Sequence, residues 1–247
     1  MNPVSLSIVL PAYEEESNLV HLLPRLKEAL AGLQVDGEIL VVDAETPRDG
    51  TPAVCAAQGV RYVPRRGGSS YGDAVKTGID EAAGEWVVFM DADGSHNPGF
   101  ISKLWPERKN AELVIASRYI PGGHTENSAI LIFMSLVVNV VYRWVLGLRC
   151  ADVSNSFRLY RGQDLKALEL DCRNFDIVEE ILVKLSFSAD GYRVKEIPFN
   201  FEKRKEGKTK RNLLAFAASY LTTLARLHQL KRKAMGAWKA NAKMERA

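Results

Sequence analysis

Strand-like apolar runs alternate with helix-like segments through the first half of this chain, and no other feature limits its fold as much. The runs lie at 5–11, 38–43, 60–64, 85–91 and 112–117, and the helical patterns between them include 17–31 and 71–83. The runs are continuously apolar, which is typical of strands buried on both faces. We therefore predict an α/β fold built on a mostly parallel, doubly wound sheet with helices on both faces.

Ligands of such sheets bind beyond the carboxyl ends of the strands. Polar residues follow each predicted strand at this edge: Tyr13 and Glu15, then Asp43, Arg65 and Arg66, Asp91 and Asp93, and finally Arg118. We expect them to converge on one site.

The strongest chemical signal is MDADGSH at 90–96. Asp91 and Asp93 offer hard oxygen ligands, and a turn after the strand can bring both to one Mg²⁺ or Mn²⁺ that bridges a diphosphate. Asp residues are also common in strand-to-helix turns for structural reasons, so the pattern alone leaves both roles open. His96 is interpreted as a structural hydrogen-bonding residue in preference to a catalytic one.

Residues after the first two strands suit a nucleotide. Tyr13 would line a base pocket, Glu15 would accept hydrogen bonds from base or ribose, and Asp43 would read the same groups. A basic segment containing glycine, Arg204 to Lys210, could close over a bound diphosphate, because cationic side chains suit phosphate oxygens. A solvated linker is the alternative for this segment.

Charge is divided unevenly along the 247 residues. The first 202 carry 20 Lys and Arg against 28 Asp and Glu, whereas 203–247 carry 13 against 2. A basic tail on an acidic body predicts an anionic partner such as a membrane surface. Nucleic acid is not expected, because no aromatic–basic interleaving accompanies the tail. The three scattered cysteines indicate neither a disulfide framework nor a zinc site and favour a reducing, cytoplasmic compartment.

Two segments bear on membrane association. Residues 127–148 are apolar, but the uninterrupted part stops at Arg143, so we predict a buried or interfacial helix instead of a span. Residues 212–235 predict an amphipathic helix with a basic end that favours anionic lipid. The first eleven residues predict a strand and no signal peptide. We divide the chain into a catalytic domain, 1–211, and a C-terminal helix and tail, 212–247.

Seven stretches, in this order, resemble family 2 glycosyltransferases, in particular dolichol- or polyprenol-phosphate mannose synthases. They are PAYEEESNL (11–19), VVDAETPRDGT (41–51), YGDAVKTGI (71–79), MDADGSHNP (90–98), IASRY (115–119), ADVSNSFRLYR (151–161) and EIPFNFEKRKEGKTK (196–210). The resemblance covers about residues 5 to 211.

This resemblance implies a GT-A (nucleotide-diphospho-sugar transferase) fold and a divalent metal, Mg²⁺ or Mn²⁺, at Asp91, Asp93 and Ser95. It implies nucleotide-sugar contacts at Pro11, Tyr13, Glu15, Asp43, Asp91, Ala92, Asp93, Arg204 and Lys210. It also implies catalytic roles for Asp93, Arg118, Ser135 and Arg204, with Arg118 and Ser135 on the acceptor-phosphate side.

The implied activity is an inverting, metal-dependent transfer of a hexose onto a polyprenyl or dolichyl monophosphate at the cytoplasmic membrane surface. Mannose from GDP-mannose is the first choice of donor, with UDP-sugars left open. Ala44 and Ser95 replace the family's usual Asp and Gln, and 129–134 lacks the usual basic residue. These departures leave open a soluble or cell-wall sugar acceptor, or a non-catalytic membrane-associated binding protein.

Overall fold

The computed structural model describes residues 4–188, 191–202 and 220–232. The strands are β1 (Leu6–Pro11), β2 (Gly37–Asp43), β3 (Arg61–Pro64), β4 (Trp86–Phe89), β5 (Leu113–Ser117), β6 (His124–Thr125), β7 (Arg158–Arg161), β8 (Val194–Pro198) and β9 (Asn200–Phe201). The helices are α1 (Glu16–Gly32), α2 (Thr51–Gln58), α3 (Tyr71–Glu81), α4 (Ile101–Glu107), α5 (Ala129–Leu146), α6 (Gly162–Lys166) and α7 (Ile177–Ser186). A 3₁₀ turn, Pro98–Phe100, precedes α4, and residues 220–232 are helical.

Seven strands form one sheet in the order β3-β2-β1-β4-β7-β5-β8. Only β7 runs antiparallel to its neighbours in this sheet, which confirms the predicted mostly parallel arrangement. From β1 the chain moves outward through β2 to β3 and then returns to place β4 on the other side of β1. Such a reversal opens a crevice between the carboxyl ends of β1 and β4, where ligands of doubly wound sheets bind.

The sheet is buried on both faces, as the continuous apolar runs predicted. Leu6, Ile8 and Leu10 of β1 pack on the face covered by α1, α2 and α4. Val9 packs on the other face, which is covered by α3, α5, α7 and the helical segment 220–232. Every residue of β1 is therefore buried, and the strand is held from both sides.

Helix α3 sits close to the sheet for two local reasons. Its N-terminus is fixed by a capping box, in which the side chains of Ser70 and Asp73 each bind the other's backbone N–H. At Gly78, a Cβ would lie 2.5 Å from a methyl group of Val9, so the absence of a side chain lets the helix approach β1 and β4. This packing places the β3–α3 connection against the crevice.

Two features of the second half differ from the expectation. The predicted strand at 192–201 divides into β8 and β9, and β9 leaves the main sheet to pair with β6. The predicted C-terminal helix is helical where the structure describes it, and its apolar side is occupied by the protein itself. Leu227 is fully buried, and Tyr142 of α5 donates a hydrogen bond to the carbonyl of Tyr220 at 2.7 Å.

Candidate active site

Most of the polar residues that follow the strands converge at the carboxyl edge of the sheet, as predicted. Arg66 is the exception, because its side chain pairs with Asp80 and Glu81 at the C-terminal end of α3. Tyr13 and Glu15 come after β1 on one side of the crevice, and Asp91 and Asp93 come after β4 on the other. Glu15 is mostly buried and accepts a hydrogen bond from Asn18 at 2.6 Å, so its carboxylate is already oriented at the start of α1.

Asp43, at the end of β2, is buried and incompletely hydrogen-bonded. Tyr62 donates to its Oδ2 at 3.4 Å, while Oδ1 has no hydrogen-bond partner among the described residues. Burial raises the pKa of Asp43, because a charged carboxylate loses its hydration there. An unsatisfied buried oxygen at this edge suits a ligand with N–H or O–H donors.

Arg65, which follows β3, acts as a clamp within the protein. It is almost fully buried, and its guanidinium donates to the backbone carbonyls of Asp43, Ala12, Ser69 and Ser70. It also lies 5.8 Å from the ring centre of Tyr13. One cation therefore holds the loops after β1, β2 and β3 together, so this arginine shapes the part of the crevice next to β1 and β2.

Asp91 and Asp93 form an Asp-x-Asp (DxD) sequence after β4, and each of their carboxylates is oriented by a serine. Oδ1 of Asp91 accepts a hydrogen bond from Ser156 at 2.8 Å, and Oδ1 of Asp93 accepts from the hydroxyl and the backbone N–H of Ser95 at 2.6 and 3.0 Å. Both carboxylates are partly exposed, whereas Ala92 between them is buried. The turn therefore presents both acidic groups at the same edge.

His96 supports this turn from inside the protein. Its Nδ1 accepts the backbone N–H of Asp91 at 3.0 Å, its ring stacks on Phe157, and it is fully buried. Burial lowers the pKa of His96, against the opposing charges of Asp91 and Asp93, so the ring is held neutral. A buried, neutral imidazole fits the predicted structural role.

The donor set at the turn fits a hard divalent cation. Asp91 and Asp93 supply carboxylate oxygens, and such ions commonly complete their shell with water and substrate phosphates. Within the described residues, no three His, Cys, Asp or Glu side chains group around one point. The hydroxyl of Ser95 donates to Asp93 and orients its carboxylate, and the role of Ser95 as a third metal ligand stays a prediction.

A second polar cluster lies beside the first. Arg118, after β5, binds Asp152 through Nε and Nη2, both at 2.8 Å, and its Nη2 also donates to Ser154 at 2.9 Å. The hydroxyl of Ser154 lies 3.3 Å from that of Ser135 on α5. Burial alone would raise the pKa of Asp152, but the charge and hydrogen bonds of Arg118 hold it below its usual value.

The segment that carries Asp152, Ser154 and Ser156 connects the two clusters. The stretch 151–161 was matched as a whole, but these three residues were not singled out from the sequence. Alternation is the signal that could have found them, since every second residue from 152 to 156 is an acid or a serine. Ser154 contacts the Arg118 cluster and Ser156 contacts Asp91.

The model of the family described as "Glycosyl transferase family 2" matches residues 7–168, about two thirds of the chain. The chain belongs to this family. Among its relatives, a dolichol-phosphate mannosyltransferase of Pyrococcus furiosus is 32% identical over 216 residues, covering 84% of this chain and 59% of that protein. An undecaprenyl-phosphate mannosyltransferase of Micrococcus luteus is 30% identical over 212 residues, covering 82% of this chain and 85% of that protein.

Solved structures that are similar to this chain have the same fold. Glucosyl-3-phosphoglycerate synthase from Mycobacterium tuberculosis, in complex with phosphoglyceric acid, superimposes with a TM-score of 0.72 at 20% identity. The match covers 92% of this chain and 80% of that one. The same enzyme with Mn²⁺, uridine-diphosphate and glucosyl-3-phosphoglycerate gives a TM-score of 0.67. The predicted GT-A fold of this glycosyltransferase is confirmed.

Helix α5 of this family 2 member is largely exposed, so the alternative of a buried helix is wrong. Trp144 is 86% exposed, Ile130 70% and Phe133 68%. The inward side carries Asn139, Tyr142 and Leu146, which are buried. Among the described helices, α5 has the length and composition of a membrane span, with a mean hydropathy of 2.0 and 17% of its residues buried.

The remaining predicted residues divide into two groups. Pro11 ends β1 opposite Val42 of β2, so it lies at the carboxyl edge of the sheet, close to Asp43 in the neighbouring strand. Arg204 and Lys210 lie outside the described residues, as does the boundary at 211/212, so their roles stay predictions. Arg158 of β7 is fully buried and donates to the backbone carbonyls of Val153 and Val178, so its guanidinium has a structural role.

Proposed function

We propose that this glycosyltransferase moves a hexose, mannose from GDP-mannose as first choice, from a nucleotide-sugar donor onto a polyprenyl monophosphate at a membrane surface. The names of the two mannosyltransferase relatives support the reaction class. The exposed apolar side of α5 supports an acceptor that is delivered from lipid.

One observation carries the proposal. The DxD carboxylates and the Arg118 cluster adjoin, because Ser156 contacts Asp91 while Ser154, two residues earlier, contacts Arg118. A donor diphosphate at the first cluster and an acceptor phosphate at the second would meet beside the segment 152–156. Holding two reactants in this way turns a bimolecular step into an intramolecular one.

The chemistry asks little of the protein beyond positioning. An oxygen of the acceptor phosphate attacks the anomeric carbon and forms the new C1–O bond, while the bond from C1 to the diphosphate oxygen breaks. The nucleoside diphosphate leaves with the electron pair, and in-line attack inverts the configuration. Because a phosphate monoester is already anionic near neutral pH, no general base is required, which agrees with a His96 that is buried and bonded to the backbone of Asp91.

Asp91 and Asp93 would hold Mg²⁺ or Mn²⁺, which would neutralise charge on the leaving diphosphate. Mn²⁺ with uridine-diphosphate is bound by the structural neighbour from Mycobacterium tuberculosis. Arg204 and Lys210 are proposed to add positive charge on the donor phosphates. Asp43 is proposed to accept hydrogen bonds from the base or ribose, because its Oδ1 is buried without a described partner.

The test is transfer of label from GDP-mannose, UDP-glucose and UDP-N-acetylglucosamine to a short polyprenyl phosphate with Mn²⁺ or Mg²⁺. Labelled lipid formed by the wild type and lost in Asp93→Ala is the expected result, and it names the donor. Metal-dependent hydrolysis of one donor without lipid labelling would reject the lipid-phosphate acceptor and favour a soluble or cell-wall sugar. Absence of both activities and of nucleotide binding would favour a non-catalytic binding protein.

A further inference from the structure

The hydrogen bond between Arg118 and Ser154 has only one possible direction. A guanidinium group carries donors and no acceptor, so Nη2 of Arg118 donates and Oγ of Ser154 accepts at 2.9 Å. The hydroxyl hydrogen of Ser154 is therefore left to donate elsewhere. Arg118 is itself held in place by the paired oxygens of Asp152, so this polarity is built into the fold.

Ser135 of α5 also accepts a hydrogen bond, in this case from Asn139. Oδ1 of Asn139 accepts the backbone N–H of Val153 at 2.7 Å, which fixes the orientation of the amide group. Its Nδ2 then faces Oγ of Ser135 at 3.5 Å as a donor. Ser135 thus also receives a hydrogen bond and keeps its own hydrogen to give.

Two hydroxyl groups 3.3 Å apart therefore both present donors, and at most one can donate to the other. Nη1 of Arg118 adds further N–H groups, since it makes no hydrogen bond to the described residues. The charge of Arg118 is offset by Asp152, so hydroxyl donors matter more here than net charge. Donors that converge in this way match the oxygens of an anion such as phosphate.

We propose that Ser154 binds the phosphate group of the acceptor directly, together with Ser135 and Nη1 of Arg118, and that Asn139 positions Ser135 and the segment at Val153. This inference rests on the proposed function, to which it adds Ser154 and Asn139. Leu131, one helical turn before Ser135 on the same face of α5, is an exposed apolar residue, so the ligand is a phosphate monoester with an apolar chain. Free phosphate shares the headgroup chemistry, and the experiment separates the two.

Ser156 is the matched control for Ser154. It lies two residues along the same segment, has the same side chain and is similarly half-buried, but its hydroxyl donates to Asp91. Loss of this hydroxyl should act on the donor side and leave acceptor binding unchanged. Ser154→Thr serves as the conservative variant, because it keeps the hydroxyl group.

Calorimetric titration of the full chain with farnesyl phosphate, farnesol and inorganic phosphate tests the proposal. We expect Ser154→Ala to weaken farnesyl phosphate binding about tenfold or more, since a hydrogen bond to a charged group is lost. Ser154→Thr should recover most of that loss. Ser156→Ala should bind farnesyl phosphate as the wild type does, and Ser154→Ala should bind farnesol, which has no phosphate, as the wild type does. Displacement of farnesyl phosphate by inorganic phosphate would support a site for the headgroup alone, and lack of displacement would support the lipid-borne ester.

Unchanged affinity of Ser154→Ala for farnesyl phosphate would overturn the proposal, as would an equal loss for Ser156→Ala or for farnesol. The outcome is independent of the transfer assay. A wild type that transfers sugar but binds farnesyl phosphate without Ser154 retains the proposed function and loses this inference. If the wild type binds the ester through Ser154 but transfers no sugar, this inference is retained and the proposed function is lost.

Discussion

The edge proposed to bind the donor (the donor edge) and the edge proposed to bind the acceptor (the acceptor edge) are built differently in this glycosyltransferase. At the donor edge, polar residues follow parallel strands, and Arg65 ties three of the loops together by donating to four backbone carbonyls. Around the acceptor edge, Arg118 also follows a strand, but its partners come from a loop and from α5, and these side chains are held mainly by one another. The first edge is preorganised by the sheet, whereas the second depends on a buried ion pair and on α5, whose outer side is exposed.

Removing a donor-edge carboxylate should have the largest effect. Asp93→Ala is expected to lower sugar transfer by about 10²–10³-fold, the usual cost of losing one group that stabilises transition-state charge. The protein should keep its stability, because the side chain is partly exposed. Steady-state transfer assays alongside urea denaturation measure both. The exposed Asp36→Ala is the control, and an equal loss there would rule out a specific role for Asp93.

Breaking the acceptor-edge ion pair should cost stability as well as activity. Arg118→Met leaves Asp152 as a buried carboxylate without its cation, which typically destabilises by about 3–5 kcal/mol. The pKa of Asp152 lies below its usual 3.8, so the pair contributes stability above that pH and loses it as the pH falls. Urea unfolding of Arg118→Met and of the double variant Arg118→Met, Asp152→Asn tests this. If replacing Asp152 as well restores none of the lost free energy of unfolding, the unpaired carboxylate is not the cause of the instability.

Behind the acceptor edge lies a buried carboxylate with the opposite pH dependence. Burial raises the pKa of Glu179 from 4.5 to about 8, and nearby Arg158 offsets only part of the effect. The folded chain then holds a proton that the unfolded chain has lost, so stability falls with rising pH between these values, by at most about 1.4 kcal/mol per unit. Glu179→Gln should be more stable than wild type at pH 8, with the difference fading toward pH 5. A constant difference in urea unfolding would contradict this.

The smallest effect is expected on the outer side of α5. Phe133→Ser and Trp144→Ser should each weaken binding to anionic lipid vesicles by about tenfold, because a large apolar side chain no longer enters the lipid. Donor hydrolysis in solution should not change. Val20→Ser, which is 45% exposed on α1 over the opposite face of the sheet, is the control. Binding is measured as co-sedimentation of the protein with the vesicles. An equal loss of co-sedimentation for all three variants would show that α5 is not the membrane-facing side.

The same contrast explains what could be predicted from the sequence. The parallel strands and the residues after them were predicted because continuous apolar runs and the polar residues at their ends are local signals. The roles of Asp152, Ser154 and Ser156 were missed, because they depend on contacts with residues 19 to 65 positions away. For α5 the helix was predicted but its exposure was left open, because an apolar run does not reveal which neighbours cover it.

The placement of Ser154 and Ser156 two residues apart has a thermodynamic consequence. If donor and acceptor are bound through one short segment, ordering it for the first ligand lowers the entropy cost of the second. The two affinities are then linked, and each ligand raises the other's binding constant by the same factor. A chain of this design favours the ternary complex over either binary one, which keeps an activated sugar from meeting water before its acceptor arrives.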